Sequence, residues 1–245
     1  MTDVPASHPR YVSLRLRDAI VAGVAAGITS PHGLIAHGRG EAFDYLIGEA
    51  TQPFARDAIR AAAAMLLLAR HPVLSVNGNA AALVPGELVA LGRVTGAPLE
   101  VNIFHTSGER ERAIARHLEA HGAGPVLRPT REAQLDYIES NRRFVHPEGI
   151  YQADVIFVPL EDGDRCQALR RMGREVVTVD LNPLSRTART ASITIVDNVA
   201  RAMPALIEAV GELAGRPREE ARAWLAGYRN EEVLAAAAAR IRRGE

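Results

Sequence analysis

Apolar and polar positions alternate with a helical period at the start of the chain. Apolar residues recur every four positions from Leu16 to Ile28, with polar residues between them. This spacing predicts an amphipathic helix that ends near Gly27. A second helix is predicted at 53–70, because proline suits a first helical turn and Pro72 prevents continuation.

Beyond residue 72 the period changes. Short β-branched runs alternate with helical segments, which is the pattern of βαβ units. Strands are predicted at 73–76, 99–104, 154–159, 175–180 and 192–196, and helices at 85–91, 109–121 and 164–172. The strands are almost continuously apolar, which indicates a parallel sheet that is buried on both faces.

The segment 122–149 is polar and rich in arginine, and we expect a long connection with one helix around 131–140. After residue 198 the chain is predicted helical, with a new helix at Pro217 and a last one at 231–243. The sequence thus predicts one α/β domain over 1–245, with a Rossmann-like parallel sheet flanked by helices. Its parts are a helical N-terminal part at about 10–70, a nucleotide-binding core at about 72–200 and C-terminal helices at about 200–245.

The composition of the chain excludes several kinds of partner and catalytic group. The 245 residues are 47% hydrophobic and 24% charged, and cations and anions both total 29, so no net field favours nucleic acid. All the cations are arginine. A phosphate-loop lysine, a Schiff-base lysine and a lysine base are therefore excluded, and any phosphate must meet arginine or backbone amides.

Cysteine content and apolar runs bear on the compartment. Cys166 is the only cysteine, which excludes an internal disulfide and fits a reducing cytosol, and we expect it to be a small, partly buried residue. The first ten residues lack the apolar core of a signal peptide, and the longest apolar run, 61–69, is too short to span a bilayer. A cytoplasmic protein is expected.

Polar residues follow the predicted strands, where ligands bind in open α/β sheets. Asn77-Gly78-Asn79 can direct amides at a ligand or form only a turn. Glu161, Asp162 and Asp164 surround a glycine and can hold magnesium or merely stabilise a helix N-terminus.

Two further segments suggest nucleotide chemistry. Asp180 ends a predicted strand, where a carboxylate can accept hydrogen bonds from ribose, and the arginines and hydroxyls of 184–190 suit a polyphosphate. For residues 184–190 the alternative is an exposed basic turn. Segment 31–41 mixes glycines with His37 and Arg39 before a short helix predicted from Ala42, which favours an anion-binding loop.

Several familiar signatures are missing, among them the Walker A sequence, G-x-G-x-x-G and H-E-x-x-H. His117 and His121 are four apart on a predicted helix, but without further ligands we expect solvated side chains and no metal site. From these observations the chain is an α/β nucleotide-binding enzyme, and a more specific function does not follow from them.

Long strings resemble the archaeal phosphopantothenate synthetase (4-phosphopantoate–beta-alanine ligase) family. They are GLIAHGRGEAFDYLIGE at 33–49, SVNGN at 75–79, VPLEDGDR at 158–165, DLNPLSRTART at 180–190 and IVDNV at 195–199. The resemblance covers roughly 5–210 and is weakest at 122–149.

This resemblance implies that ATP and 4-phosphopantoate form an acyl-adenylate, which beta-alanine converts to 4'-phosphopantothenate with release of AMP, in coenzyme A synthesis. It also implies a homodimer, and we expect Mg²⁺ with the ATP. By matching positions, the ATP contacts are Arg17, Arg39, Asp180, Leu181, Asn182, Arg186, Thr187, Asn198 and Val199. Arg17 and Asn198 rest mainly on the resemblance, since Asn198 alone would be interpreted as a helix cap.

His37 is the candidate catalytic residue, because a neutral imidazole can accept the proton of beta-alanine. For the phosphate of 4-phosphopantoate, the positions to examine are Asn77, Asn79, His105 and the arginines of 122–149. Two alternatives stay open: a phosphoryl-transfer kinase, which would release ADP, and a non-catalytic nucleotide sensor.

Overall fold

Helices and strands alternate along most of the chain. The computed structural model describes residues 4–104 and 107–244, so His105 lies outside the described residues. The elements are α1 (Tyr11–Ala25), α2 (Pro31–Ile47), α3 (Pro53–Leu68), β1 (Pro72–Val76), α4 (Gly78–Leu83), α5 (Pro85–Thr95), β2 (Leu99–Val101), α6 (Gly108–Ala120), β3 (Ala133–Gln134), a 3₁₀ turn (Asn141–Arg143), β4 (Phe144–Val145), β5 (Val155–Phe157), α7 (Gly163–Arg171), β6 (Glu175–Val179), α8 (Arg186–Thr190), β7 (Ile193–Ile195), α9 (Val199–Ala214), α10 (Arg218–Gly227) and α11 (Asn230–Arg243).

The central sheet confirms the predicted α/β architecture. Its five strands run parallel in the order β2-β1-β5-β6-β7, and Leu74 of β1 lies between Leu99 and Phe157 of its neighbours. From β1 the chain adds β2 on one side and then crosses to add β5 on the other. The carboxyl ends of β1 and β5 therefore form the switch point at which such sheets bind ligands.

Both faces of the sheet are covered by helices, which explains the apolar strands. Neighbouring residues of a strand point to opposite faces, and Phe157 joins an apolar cluster with α3, α5 and α9, while Ile156 joins a second cluster with Leu169 of α7. Four consecutive buried alanines, from Ala61 to Ala64, let α3 pack closely between the sheet and α9.

The predicted loop at 31–41 is wrong, since α2 is helical from Pro31 onward. Close packing explains why position 33 is a glycine. A Cβ on Gly33 would collide with the side chains of Asn79 and Thr29. The glycine lets α2 approach α4 closely and is not needed for a flexible loop. The helix ends at Gly48, which adopts the left-handed conformation with φ 90°.

The helix predicted around 131–140 is also wrong. Ala133 of β3 lies opposite Val145 of β4 in a small antiparallel pair, and the amide of Leu135 donates to the carbonyl of Arg143 at 2.7 Å. Backbone pairing within the connection thus replaces the helix that local propensity suggested. The helices predicted at 53–70 and 231–243 are confirmed, with ends shifted by one or two residues.

Across 4–104 and 107–244, every helix is too short or too polar to cross a bilayer.

Candidate active site

A cavity of about 360 Å³ opens at the carboxyl edge of the sheet, beside the switch point between β1 and β5. Several short segments line it, and together they bring one predicted catalytic residue and four predicted ATP contacts into a single space. Those five residues are His37, Arg39, Leu181, Asn198 and Val199.

The loop after β1 is tied to the loop after β5. Asn77 accepts a hydrogen bond from the amide of Ala80 at 3.0 Å and so caps α4, while its Nδ2 donates to the carbonyls of Pro159 and Leu160. Asn79 accepts from the hydroxyl of Thr29 at 2.6 Å. These side chains line the cavity, and their hydrogen bonds fix its walls, so the segment forms a turn that holds neighbouring loops together.

Helix α2 carries His37, Arg39 and Glu41 along the cavity. Nε2 of His37 is buried and has no hydrogen-bond partner among the described residues. Burial lowers the pKa of His37 below 6.5, and the carboxylate of Glu41 opposes that shift in part. His37 therefore lines the cavity with an imidazole that is neutral at neutral pH, and its buried Nε2 is not used by another hydrogen bond.

Arg17 reaches the cavity only through another residue. Its guanidinium binds Glu41 through Nε at 3.0–3.1 Å and Nη2 at 2.7 Å, and the hydroxyl of Tyr45 donates to the same carboxylate. Burial raises the pKa of Glu41, but the hydrogen bonds from Arg17 and Tyr45 bring the net pKa below its usual value. Arg17 thus orients a wall residue and does not itself line the cavity.

The loop after β6 is closed by its own first carboxylate. Asp180 accepts from the amide of Asn182 at 2.9 Å and from the hydroxyl of Ser185. Burial raises the pKa of Asp180, while these two hydrogen bonds oppose the shift. Of this loop and α8, only Leu181 lines the cavity, and Asp180, Asn182, Arg186 and Thr187 lie next to it.

Arg186 and Thr187 connect that loop with α7. The side chain of Arg186 packs against Gly163, where a Cβ would approach it to 2.7 Å. The hydroxyl of Thr187 donates to the carbonyl of Glu161 at 2.8 Å. Cys166 is completely buried beside Thr187, and burial raises the pKa of its thiol to about 12, so it is not a nucleophile at neutral pH.

Asn198 is held by a buried charge cluster. Its side chain caps α9 by accepting from the amide of Ala200 and donates to Asp44 of α2 at 2.7 Å. Arg201 bridges Asp44 and Asp197 at 2.5–2.6 Å. The cap predicted for Asn198 is confirmed, and it is combined with a link to the helix that carries His37.

A second charge cluster lies beneath the loop after β5. Glu161 is buried and binds the guanidiniums of Arg142 and Arg165, and its Oε1 also accepts from the amide of Asp162. Burial raises the pKa of Glu161, but the two guanidiniums outweigh it, so the net pKa lies below its usual value.

This second cluster limits where a metal can bind. Both oxygens of Glu161 are engaged, and Asp164 does not line the cavity, whereas Asp162 does. The part of the chain that the structure describes contains no group of three or more His, Cys, Asp or Glu residues suited to a metal ion. His117 and His121 stack edge to face on and after α6, with centroids 4.5 Å apart.

A larger groove, of about 1050 Å³, lies elsewhere, between α3, α10 and α11. It contains Trp224 and Tyr228 but none of the predicted site residues. Size alone would favour this groove. The smaller cavity is the better candidate, because it lies at the switch point and collects the convergent polar groups.

Sequence reasoning missed two residues that shape the site, and it included a third, Arg142, only among the arginines to examine for phosphate. Glu41 and Asp44 lie on α2, and the four-residue spacing from His37 to Glu41 would have indicated a shared face had that segment been predicted helical. Arg142 enters from the 122–149 connection, and its contact with Asn102, at a separation of 40 positions, leaves no local signal.

Comparisons with known proteins identify the family of this chain. The family model described as phosphopantothenate/pantothenate synthetase matches residues 54–244. A 4-phosphopantoate–beta-alanine ligase of Methanosarcina mazei is 51% identical over 241 residues, covering 98% of this chain and 95% of that protein. The ligase of the same name from Thermococcus kodakarensis is 51% identical over 235 residues, covering 96% and 90%. That of Methanospirillum hungatei is 49% identical over 201 residues, covering 82% of each chain. The chain belongs to the phosphopantothenate/pantothenate synthetase family.

Proposed function

We propose that this protein is an ATP-dependent ligase of coenzyme A biosynthesis, which condenses 4-phosphopantoate with beta-alanine and releases AMP and diphosphate. The observation that carries the proposal is the identity of about 50%, over most of the chain, to relatives with that activity in their names. The polar cavity at the switch point supports it, because this is where a parallel sheet binds a nucleotide.

The first step is adenylate formation. An oxygen of the 4-phosphopantoate carboxylate attacks the α-phosphorus of ATP, and the bond from that phosphorus to diphosphate breaks. Negative charge develops on the departing diphosphate, so the site must supply positive charge and hydrogen-bond donors. Arg39 lines the cavity, and Arg186 is the first residue of the adjoining helix α8, so both can meet phosphate oxygens.

The nucleotide contacts follow the positions that match the family. We propose that Asp180, Leu181 and Asn182 meet the adenosine portion, and that Asn198 and Val199 complete the nucleotide site. Arg186 is proposed to meet phosphate with Thr187 beside it, whose hydroxyl already donates to the carbonyl of Glu161. Arg17 acts through Glu41, to which it is paired. The hydrogen bonds of Asp180 to its own loop leave capacity for a ribose hydroxyl, because each carboxylate oxygen accepts two.

Mg²⁺ is proposed to arrive with ATP. Glu161 has no oxygen to spare and Asp164 is outside the cavity, so the described residues do not form a site that encloses a metal. Magnesium commonly keeps several waters and binds substrate phosphates. Phosphate oxygens and water are accordingly the proposed ligands.

The second step is amide formation. The amine nitrogen of beta-alanine attacks the acyl carbon, the carbon–nitrogen bond forms, and the bond from that carbon to the adenylate oxygen breaks to release AMP. The incoming ammonium must first lose one proton, and the nitrogen loses a second as the amide forms. We propose His37 as the acceptor of one proton, because its imidazole is neutral and its Nε2 is unused.

We propose a homodimer in the cytoplasm. Helices α1 and α2 expose six large apolar side chains, which supports a partner against these two helices. The six are Val12, Val21, Leu34, Ile35, Tyr45 and Leu46. Light scattering coupled to gel filtration should give twice the mass of the 26.4 kDa chain, and the mass of a single chain would contradict the dimer.

We also propose that the chain folds as one domain. The largest apolar cluster contains Ile28 from the N-terminal part, Val76 from the sheet and Ala237 from the last helix. Shared burial of this kind should give a single cooperative transition in calorimetry. Two separated transitions would indicate two domains.

The activity is tested by its nucleotide product. Purified protein is incubated with ATP, Mg²⁺, 4-phosphopantoate and beta-alanine, and the products are separated by chromatography. AMP and 4'-phosphopantothenate in equal amounts are expected. ADP would indicate a kinase or an acyl-phosphate route, and unchanged ATP would indicate a nucleotide sensor.

A further inference from the structure

The described lining of the switch-point cavity contains two carboxylates, Glu41 and Asp162. Glu41 is neutralised by the guanidinium of Arg17, which contacts both of its oxygens. Asp162 differs from it. Oδ2 of Asp162 accepts from Nη1 of Arg142 at 2.8 Å, whereas its Oδ1 accepts no hydrogen bond from the described residues, and its side chain is 50% exposed.

Arg142 holds Asp162 in place and has no capacity for another anion. Its Nε donates to Asn102, Nη1 donates to Glu161 and Asp162, and Nη2 donates to Glu161 and to the carbonyl of Asn102. A guanidinium has five N–H groups, and these contacts use all of them. The positive charge of Arg142 is shared with buried Glu161, so Asp162 is not neutralised on its open side.

The backbone before Asp162 is held in a rare conformation. Leu160 has φ 58°, in the left-handed region that residues with a side chain seldom adopt. The side-chain amide of Asn77, on the neighbouring loop, donates a hydrogen bond to the carbonyl of Leu160. Buried Glu161 follows, and then Asp162 at the cavity wall. Strain of this kind persists where the surroundings enforce it, commonly at functional sites.

The charges of the reactants identify what an open carboxylate can bind. ATP and 4-phosphopantoate are anions that a fixed carboxylate repels, whereas beta-alanine carries an ammonium at neutral pH. We propose that Oδ1 of Asp162 binds the ammonium of beta-alanine and positions its nitrogen for attack on the acyl-adenylate. This inference rests on the proposed ligase function and adds the subsite for the amine.

Magnesium is the competing cation, and the surroundings of Asp162 favour the ammonium. Neighbouring Glu161 is fully engaged by two arginines and Asp164 does not line the cavity, so Asp162 is the carboxylate of this loop that offers the cavity a free oxygen. An ammonium has three donors and is satisfied by one carboxylate together with neutral acceptors. The two cations also act in different steps, which separates them experimentally.

The test uses Asp162→Asn in the full-length enzyme, with Asp164→Asn as the matched control. Asp164 lies in the first turn of α7, two positions away, and does not line the cavity. Asparagine keeps an oxygen for Arg142 but loses the charge. We expect the KM for beta-alanine to rise roughly tenfold to a hundredfold, the range for losing a charged hydrogen bond. Asp164→Asn should stay near wild type.

A neutral nucleophile provides the decisive second readout. Hydroxylamine is largely uncharged at neutral pH and traps an acyl-adenylate as a hydroxamate, so it needs no carboxylate to bind it. In Asp162→Asn the rate of hydroxamate formation and the Mg²⁺ concentration at half-maximal rate should match wild type. Asp162→Glu, which keeps the charge, should restore part of the affinity for beta-alanine.

Each remaining outcome is informative. An unchanged KM for beta-alanine, or equal losses in Asp162→Asn and Asp162→Glu, would overturn the inference. Slower hydroxamate formation with a raised Mg²⁺ requirement would assign Asp162 to the metal and also overturn it. If wild-type enzyme forms no AMP from these substrates, the proposed ligase function fails, and that result is distinct from either outcome.

Discussion

Asp44 accepts a hydrogen bond from Asn198 at 2.7 Å, although 154 positions separate the two residues in the chain. The same carboxylate binds Arg201, so it joins α2, which carries His37, to the start of α9. Two walls of the cavity are therefore fixed relative to each other by one buried side chain.

Replacing Asp44 with asparagine should affect both stability and nucleotide affinity. The variant loses the charge that meets Arg201 and keeps one acceptor oxygen, so we expect a loss of about 1–3 kcal/mol in the free energy of unfolding. The KM for ATP should rise as well, because a neutral amide holds Asn198 less firmly than the carboxylate does. Urea unfolding and steady-state kinetics measure the two effects. Glu208→Gln, at an exposed position of α9, is the control, and equal behaviour of the two variants would contradict this role.

Arg186 and Arg189 offer a matched comparison within α8. Only Arg186 is a proposed ATP contact, and both side chains are exposed. Arg186→Ala should raise the KM for ATP roughly tenfold to a hundredfold, because a charged hydrogen bond to phosphate is lost. Arg189→Ala should leave it within about twofold. Similar effects in both variants would mean that α8 contributes only general positive charge.

His37→Gln should separate the two chemical steps. Adenylate formation, measured by hydroxylamine trapping, should persist, while the rate of amide formation should fall by roughly 10²–10⁴, the usual contribution of a general base. His121→Gln, after α6, is the control. Normal amide formation in His37→Gln would show that another group accepts the proton.

The pH dependence of the amide-forming step adds a second check on His37. Since burial lowers its pKa below 6.5, the imidazole stays neutral at neutral pH and becomes protonated only in more acidic solution. The rate should therefore be constant around neutral pH and fall on the acidic side of 6.5. A fall beginning above neutral pH would contradict this assignment.

Glu161 and Glu175 form salt bridges in opposite environments. Glu161→Gln leaves the buried guanidiniums of Arg142 and Arg165 without a carboxylate, and we expect a loss of about 3–5 kcal/mol in the free energy of unfolding. Glu175 pairs with Arg170 at a partly exposed position, so Glu175→Gln should cost less than about 1 kcal/mol. Denaturant titration of both variants measures the difference, and similar losses would show that the buried cluster is dispensable.

Glu100 should make stability fall as pH rises. It is buried, with Oε1 accepting from the amide of His146 and Oε2 from that of Ile150, and burial raises its pKa from 4.5 to about 7. Between these values the folded protein holds a proton that the unfolded chain has lost. The free energy of unfolding should decrease across this window by on the order of 3 kcal/mol.

The contribution of Glu100 is isolated by Glu100→Gln. Urea unfolding at about pH 5 and pH 7.5 gives the change in the free energy of unfolding with pH for the wild type and for the variant. The variant should lack most of the decrease in that free energy. An equal change with pH in both proteins would show that Glu100 does not control the pH dependence of stability.

The sequence predicted the sheet and most helices because their periodicity is local. The error at 31–41 had a different origin: glycines normally weaken a helix, yet Gly33 is required where α2 meets α4. Packing between distant elements decided the local structure. At 131–140, pairing of Ala133 with Val145 likewise overrode helical propensity.

The candidate site was predicted in part. His37, Arg39, Leu181, Asn198 and Val199 meet at one cavity. Leu181 and Asn198 follow parallel strands, whose carboxyl ends converge at one edge of the sheet, whereas His37 and Arg39 lie on α2. The role of Arg142 was not predictable. It depends on a contact with Glu161 that is fixed only when the 122–149 connection folds back onto the sheet.

The walls of this cavity come from positions that extend from Ile28 to Val199. A growing chain on the ribosome therefore lacks the proposed nucleotide site until β7 and the start of α9 have emerged and docked. We expect incomplete chains neither to bind ATP nor to release an adenylate. Ligand binding accordingly reports the complete native state, and ATP should protect the whole enzyme, but no fragment of it, against proteolysis.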